Sequence, residues 1–452
     1  MRLVQYSDIE NVHDDPESVG RLAGTIRSLR GADALVCGTG DNTAPGVLPL
    51  VSRGGVALEF FDAVDPAVET FGNHDFDFGP DRTAELVRRS PQRWLSANVI
   101  RDGEPFAGVD RWGVERIDGK RVGFFGLTDP TTPSIGASDD LGFCEPIEAA
   151  ERAVGALRDR GVDHVVALSH LGRADERLAV DCDIDVVLGG HVHTERIERI
   201  DGTILTRPGS GGEIVLEVDL DTGDVERHVV AEGPSDPELT SRYETRLSAA
   251  GLGEVVGHVE KPIARTEREA YRGESRIGNL VADAYRWAAE RAVGTDTPVV
   301  GLQNSGGIRT GKPLAGDVTV ADLVGVVPFD EVLVVAELTG SELRSILEEG
   351  ATVTGFGEAD WWHAHVSGAR ITYGYDDDRL TDATVAGEPI DDDRRYRLAV
   401  SEFLLYTEVE FPTLEERHVV ERLETQYEIL VEYARTVGID PKLEDRIVRT
   451  GL

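Results

Sequence analysis

Apolar residues along the first two hundred positions follow two rhythms. Short, nearly unbroken apolar runs at 3–6, 34–38, 68–71, 121–127, 164–168 and 186–188 predict strands, and 94–97 continues that pattern. Between them, 17–29 carries Val19, Leu22, Ile26 and Leu29 at helical spacing. Stretches 47–64, 82–89 and 146–160 also predict helices. From 197 to 230 the rhythm changes to short alternating runs broken at Asp201-Gly202, at 209–212 and at Asp221-Thr222-Gly223. Such breaks are hairpin signals. Strand–helix repeats followed by strands predict a layered α/β domain with antiparallel additions.

The pattern stops at Glu232-Gly233-Pro234-Ser235-Asp236-Pro237. A polar helix, 238–250, follows with few apolar positions, as a helix bridging two domains would have. A second α/β domain is expected from about Val255, with helix 278–291, strand 298–302, a hairpin-like 332–337, helix 341–349 and helix 422–436. The expected division is a first domain over 1–232, a linker helix over 233–254 and a second domain over 255–452. A length of 452 residues suits two or three domains.

Charge narrows the partners. Asp and Glu number 84 against 46 Lys and Arg, a formal net charge of −38. Such a surface repels nucleic acid and anionic membranes, so neither is an expected partner. Lysine occurs only at 120, 261, 312 and 442. High acid with scarce lysine and abundant glycine fits adaptation to a high-salt cytoplasm, where screening acts within roughly 3 Å at about 1 M salt. The three cysteines, Cys37, Cys144 and Cys182, form no Cys-x-x-Cys pair, which argues against a disulfide framework or thiolate zinc site. No apolar run approaches ~18 residues and no apolar signal region precedes the first strand, so a cytoplasmic location is expected.

Candidate ligand residues gather at one kind of place. Asp8 and Glu10 follow the first strand, Gly40-Asp41-Asn42 the second, and Gly72-Asn73-His74-Asp75 the third. Ser169-His170 and Gly189-Gly190-His191-Val192-His193 follow two later strands. In open α/β sheets, strand ends converge on the ligand site. Asp8/Glu10 and His191/His193 are spaced two apart, which places both side chains of each pair on one face of extended chain. A mixed set of His, carboxylate and Asn suits Mn, Fe, Zn or Co. Seven such groups exceed one tetrahedral ion and suit two ions sharing a bridge. His13, His164 and His228 are expected to be structural, with His13 weighed as a substitute ligand for position 10.

In this order the motifs resemble the calcineurin-like metallophosphoesterases, in the 5′-nucleotidase and UDP-sugar hydrolase branch. The resemblance continues through Gly278-Asn279-Leu280 with Asp283-Ala284, Asn304-Ser305-Gly306-Gly307-Ile308-Arg309, Gly316-Asp317-Val318-Thr319, Pro328-Phe329 and Leu338-Thr339-Gly340. It implies a four-layer αββα metallophosphoesterase domain followed by an α/β substrate-binding domain. It further implies that Asp8, Glu10, Asp41 and His193 hold one ion, and Asp41, Asn73, His170 and His191 the other. His74 would sit at the substrate phosphate, oriented by Asp77. Asn304 and Arg309 would bind substrate, and Phe329 and Phe411 would stack on a base. The family's Asp-x-His motif has Glu10 as its third residue here, a harder ligand that favours manganese or iron over zinc. Thr407-Glu408-Val409-Glu410 stands where the family has Gly-Gly-Asp-Gly. Gly273 stands where it has Arg, with Arg272 or Arg276 as the expected replacement.

The reaction so implied is hydrolysis of nucleoside 5′-monophosphates by attack of a hydroxide held between two divalent ions, manganese ahead of zinc, iron or cobalt. The alternatives are a 2′,3′-cyclic nucleotide phosphodiesterase, a UDP-sugar hydrolase, or a nucleotide-binding protein that has lost activity. A nuclease would need a basic face, which this composition does not offer.

Overall fold

The strand His164–His170 shows how the first part of the chain is layered. Val166 and Leu168 enter one apolar core, Val165 and Ala167 another. This is the two-residue alternation of extended chain, and a strand apolar on both faces needs cover on both. One face meets a second sheet, and the other meets helices Pro146–Asp159 and Asp175–Asp181. The structure, a computed structural model, describes residues 1–130, 141–351, 361–407 and 410–451. It divides into two compact units, Met1–Ala250 and Gly251–Leu452.

In the first unit one sheet runs Arg196–Ile200, Thr203–Arg207, Val186–Gly189, His164–His170, Lys120–Thr128, Trp112–Ile117. The facing sheet runs Val225–Val229, Ile214–Asp219, Arg2–Tyr6, Ala34–Gly38, Val68–Glu69, Arg93–Trp94. Helices Pro16–Leu29 and Ala57–Val64 cover its outer face, and the Tyr6 ring meets Phe60 edge-on at 5.5 Å. The order is helix, sheet, sheet, helix. Central strands of both sheets run parallel, so their carboxyl ends lie at one edge.

The expected hairpins occur, but they part company. Arg196–Ile200 pairs with Thr203–Arg207 in one sheet, and Ile214–Asp219 with Val225–Val229 in the other. The 47–64 helix is two, Val47–Ser52 and Ala57–Val64, because Arg53 adopts a left-handed φ of 49° and ends the first.

The polar helix read as a linker is Pro237–Ala249, and it packs on the first unit. Asp236 caps it through the N–H groups of Glu238 and Leu239. Leu239 and Tyr243 are fully buried, and the Tyr243 hydroxyl donates to the Val56 carbonyl at 3.1 Å. Two apolar anchors suffice to dock it, although its other face is polar.

In the second unit a five-stranded sheet runs Ala364–Ser367, Val299–Asn304, Arg395–Ser401, Val332–Thr339, Val419–Thr425. Helices Arg276–Val293, Gly340–Glu349 and Gln426–Thr436 accompany it, with a four-stranded sheet and the antiparallel pair of Val255–Arg265 with Gly311–Thr319. Residues 332–337 are one continuous strand, not a hairpin, since Val332–Thr339 pairs with distant strands on both sides. The helix expected over 422–436 begins only at Gln426, where Thr425 and Glu428 form a capping box; residues before it complete a strand.

Candidate metal centre

Five strand ends of the first unit deliver their polar residues to one place. The tight geometry depends on glycine: a Cβ on Gly40, whose φ is +90°, would lie 2.5 Å from the Gly72 nitrogen and 2.6 Å from the His170 Nδ1. Four of the expected ligands hold left-handed backbone, Asp8 (φ 48°), Glu10 (44°), Asp41 (55°) and His191 (73°). Non-glycine residues take this conformation at a cost, and such outliers concentrate at functional sites.

The side chains form overlapping clusters. Asp8, Glu10 and His193 bring ligand atoms within 4.8 Å of one another, as do Asp41, His170 and His191, and Glu10, Asp41 and His74. The His193 Nε2 lies 3.1 Å from Glu10 Oε1, and Asn73 Oδ1 lies 2.9 Å from His191 Nδ1. The His170 Nδ1 donates to the Thr39 carbonyl at 2.7 Å, which fixes the ring with Nε2 on the Asp41 carboxylate at 3.0 Å. His74 Nδ1 meets Asp77 Oδ2 at 3.0 Å, while the His74 backbone N–H donates to Asp41 Oδ1 at 2.7 Å.

The electrostatics match this crowding. Burial, reinforced by Asp41, pushes Asp8 up to about 7, although His170 opposes it. Burial also raises Asp41, but His170 and His74 outweigh it and hold that carboxyl below the usual range. Burial lowers His74 and His170, yet Asp77 and Asp41 raise the first, and Asp41 the second, to about 10. His191 is pulled down to about 4 by burial and the neighbouring His170 charge. In these clusters carboxylates face histidines. A donor set of carboxylate oxygens, imidazole nitrogens and one amide oxygen suits borderline divalent cations, and the two groups joined through Asp41 and Glu10 suit a pair of them.

Several supporting residues stand outside the expected ligand set. Asp75 accepts the backbone N–H groups of Asp41, Asn42, Thr43 and Gly72 at 2.8–3.3 Å and so holds two ligand loops together. Glu69, buried and pushed up to about 8 by that burial, accepts from Tyr6 at 2.5 Å and Asn42 at 3.0 Å. Asp175 receives Ser169 at 2.6 Å and Arg207 at 2.8 Å behind His170. The signal available in the sequence was a charged residue inside an apolar run, as with Glu69 and Arg207.

The remaining candidates find these surroundings. His13 is no substitute ligand: its ring nitrogens are taken by the Tyr243 hydroxyl at 2.9 Å and the Asn42 carbonyl at 3.0 Å. Arg276 clamps backbone, donating to the carbonyls of Lys261, Pro262 and Pro441, so it does not replace the family arginine. Arg272 is exposed. Phe411 lies in the apolar core of the second unit, 2% exposed, and is not an open stacking face. Asn304 is buried, its amide nitrogen on Glu410 at 3.0 Å and its oxygen accepting from Gln303 at 2.9 Å. The Arg309 guanidinium lies 4.9 Å from the Phe329 ring centre. Glu408 and Val409 of the altered loop lie outside the described residues.

Residues 1–195 match the calcineurin-like phosphoesterase family, and residues 255–416 match the 5′-nucleotidase C-terminal domain. A trifunctional nucleotide phosphoesterase protein of Bacillus subtilis is 26% identical over 84% of this chain, which spans 30% of that protein's length. A 5′-nucleotidase of Diplobatis ommata is 24% identical over 78% of this chain and 69% of its own. The crystal structure of a 5′-nucleotidase precursor from Thermus thermophilus superposes with a TM-score of 0.79 at 25% identity, covering 99% of each chain. With both domains matched in order, the chain belongs to the calcineurin-like phosphoesterases of the 5′-nucleotidase and UDP-sugar hydrolase family.

Proposed function

We propose that this protein hydrolyses nucleoside 5′-monophosphates with the help of two divalent ions, manganese foremost. The observation that carries the reading is the meeting of Asp8, Glu10 and His193 with Asp41, His170 and His191 beside the His74–Asp77 pair. Asp8, Glu10, Asp41 and His193 would hold one ion, and Asp41, Asn73, His170 and His191 the other. Ions bound there supply Lewis acidity toward phosphoryl oxygen and bring water to a reactive pKa near neutrality.

The chain's own residues do the rest. Asp77 holds the His74 Nδ1, so the proton available for the leaving oxygen sits on Nε2. The negative groups around His74 keep it protonated, which suits a proton donor and a stabiliser of phosphoryl charge. Glu10 at a ligand position supports manganese or iron over zinc, because an added carboxylate hardens the donor set. In the second unit Asn304 and Arg309 stand for recognition of the nucleoside. The acidic surface supports a small-molecule substrate in a high-salt cytoplasm, without nucleic acid or membrane as partner.

The test is elemental analysis of the purified protein combined with turnover assays on AMP, 2′,3′-cyclic AMP, UDP-glucose and DNA. Metal-dependent release of phosphate from AMP at the highest kcat/KM is expected. Preference for the cyclic nucleotide or the nucleotide sugar would replace this substrate, and no turnover with any metal would leave a binding protein.

A further inference from the structure

Both rings assigned to base stacking are engaged elsewhere: Phe411 is in the core, and Phe329 carries the Arg309 guanidinium over it. A different aromatic pair lies in the same unit. The rings of Tyr271 and Trp361 stack at 4.0 Å with an angle of 26° between them. Both residues are only half-buried. The pair sits with the residues expected to bind substrate. A Cβ placed on Gly306 would lie 3.6 Å from the Tyr271 hydroxyl and 3.8 Å from the Asn304 amide nitrogen, so these two groups flank one small gap. The charges of Arg309 and Glu410 both reach the Tyr271 hydroxyl.

Two donors here lack partners among the described residues. The indole N–H of Trp361 and the Nε of Arg309 are shielded from solvent without a hydrogen bond. A shielded donor left unpaired is costly, and native structures rarely keep one without a reason. A ligand acceptor arriving at the ring pair supplies it. Glu410, 7% exposed, gives one oxygen to Asn304 and has the other to accept an N–H from a ligand edge. The group that combines a flat π face with ring acceptors and N–H donors at its rim is a nucleobase.

We infer that the Tyr271–Trp361 pair is the stacking platform for the nucleobase, in place of Phe411. This rests on the nucleotide reading above, so its test uses a ligand without phosphate. Adenosine is titrated into the manganese-loaded full chain while tryptophan emission is followed, with affinity read separately by calorimetry. Saturable quenching is expected in the wild type and in Trp287→Phe, whose ring packs against Tyr433 instead. Trp361→Leu should lose the quenching and weaken adenosine by about tenfold or more, and Trp361→Phe should recover most of the affinity. Tyr271→Leu should weaken binding as well, which keeps the test alive if Trp361→Leu fails to fold. Quenching that survives Trp361→Leu with unchanged affinity, or no adenosine binding at all, overturns the platform. AMP hydrolysis without adenosine quenching would remove the platform alone. Adenosine quenching without AMP hydrolysis would remove the proposed reaction alone.

Discussion

The carboxylate of Asp75 accepts the backbone N–H of Asp41 at 3.0 Å, and through that bond a residue outside the ligand set holds the ligand shared between the two clusters. The same carboxylate takes the N–H of Gly72 at 2.8 Å and of Thr43 at 3.1 Å. Both oxygens are therefore acceptors. In Asp75→Asn an NH2 group would face N–H donors, leaving at least one buried donor unpaired. Chemical denaturation should show a loss of about 2–3 kcal/mol, and metal affinity should fall because the Asp41 loop loosens. Unchanged stability and unchanged metal content would contradict this role.

His74 touches the cluster but is not needed to complete either ion's ligand set. His74→Ala should lower kcat on AMP by about 10²–10⁴ with metal content intact, as measured by steady-state kinetics and elemental analysis on one preparation. If turnover were preserved, His74 would have no part in proton transfer or charge stabilisation.

Ion binding should be coupled to proton release, and the sign follows from the shifts. Without ions, burial holds Asp8 at about 7, and Asp41 holds His170 at about 10 against the opposing effect of burial. Near neutral pH the empty cluster therefore keeps a proton on His170 and part of one on Asp8. A cation takes only the deprotonated forms, so affinity rises with pH up to about 10, by about tenfold per unit for each proton displaced. Calorimetric titration with manganese, in buffers of different ionisation enthalpy, should register at least one proton released per chain at pH 7. Proton uptake, or none exchanged, would contradict the protonated His170.

The buried pair Asp175–Arg207 lies behind the Ser169–His170 strand end at 2.8 Å, with both side chains nearly inaccessible. Removing one partner strands the other charge. Asp175→Ala should cost about 3–5 kcal/mol in a denaturant melt, and joint replacement by apolar residues of similar volume should cost less. Equal losses in the single and double variants would argue against an uncompensated charge as the cause.

Most of the first unit was legible because its ligands stand directly after short apolar strands. Val165–Leu168 reads as a strand from its neighbours alone, and His170 then falls at the strand end. Less legible were features set by distant partners. The docking of Pro237–Ala249 depends on two apolar residues in a polar sequence, and His13 finds Tyr243 across 230 positions. The pairing of Val332–Thr339 with strands at 395–401 and 419–425 is likewise long-range. Phe411 carried a motif position, but its burial depends on the packing of the whole second unit. Motif order places ligands well when backbone ladders align them, and side-chain access is decided by tertiary packing.

The central claim is a pair of divalent ions sharing Asp41. Its most direct test is the equilibrium stoichiometry of manganese bound to the wild-type chain, compared with Asp41→Ala. Two ions per wild-type chain are predicted, with loss of both or a large drop in affinity for both in the variant. One ion per chain, or two that are indifferent to Asp41, would contradict it.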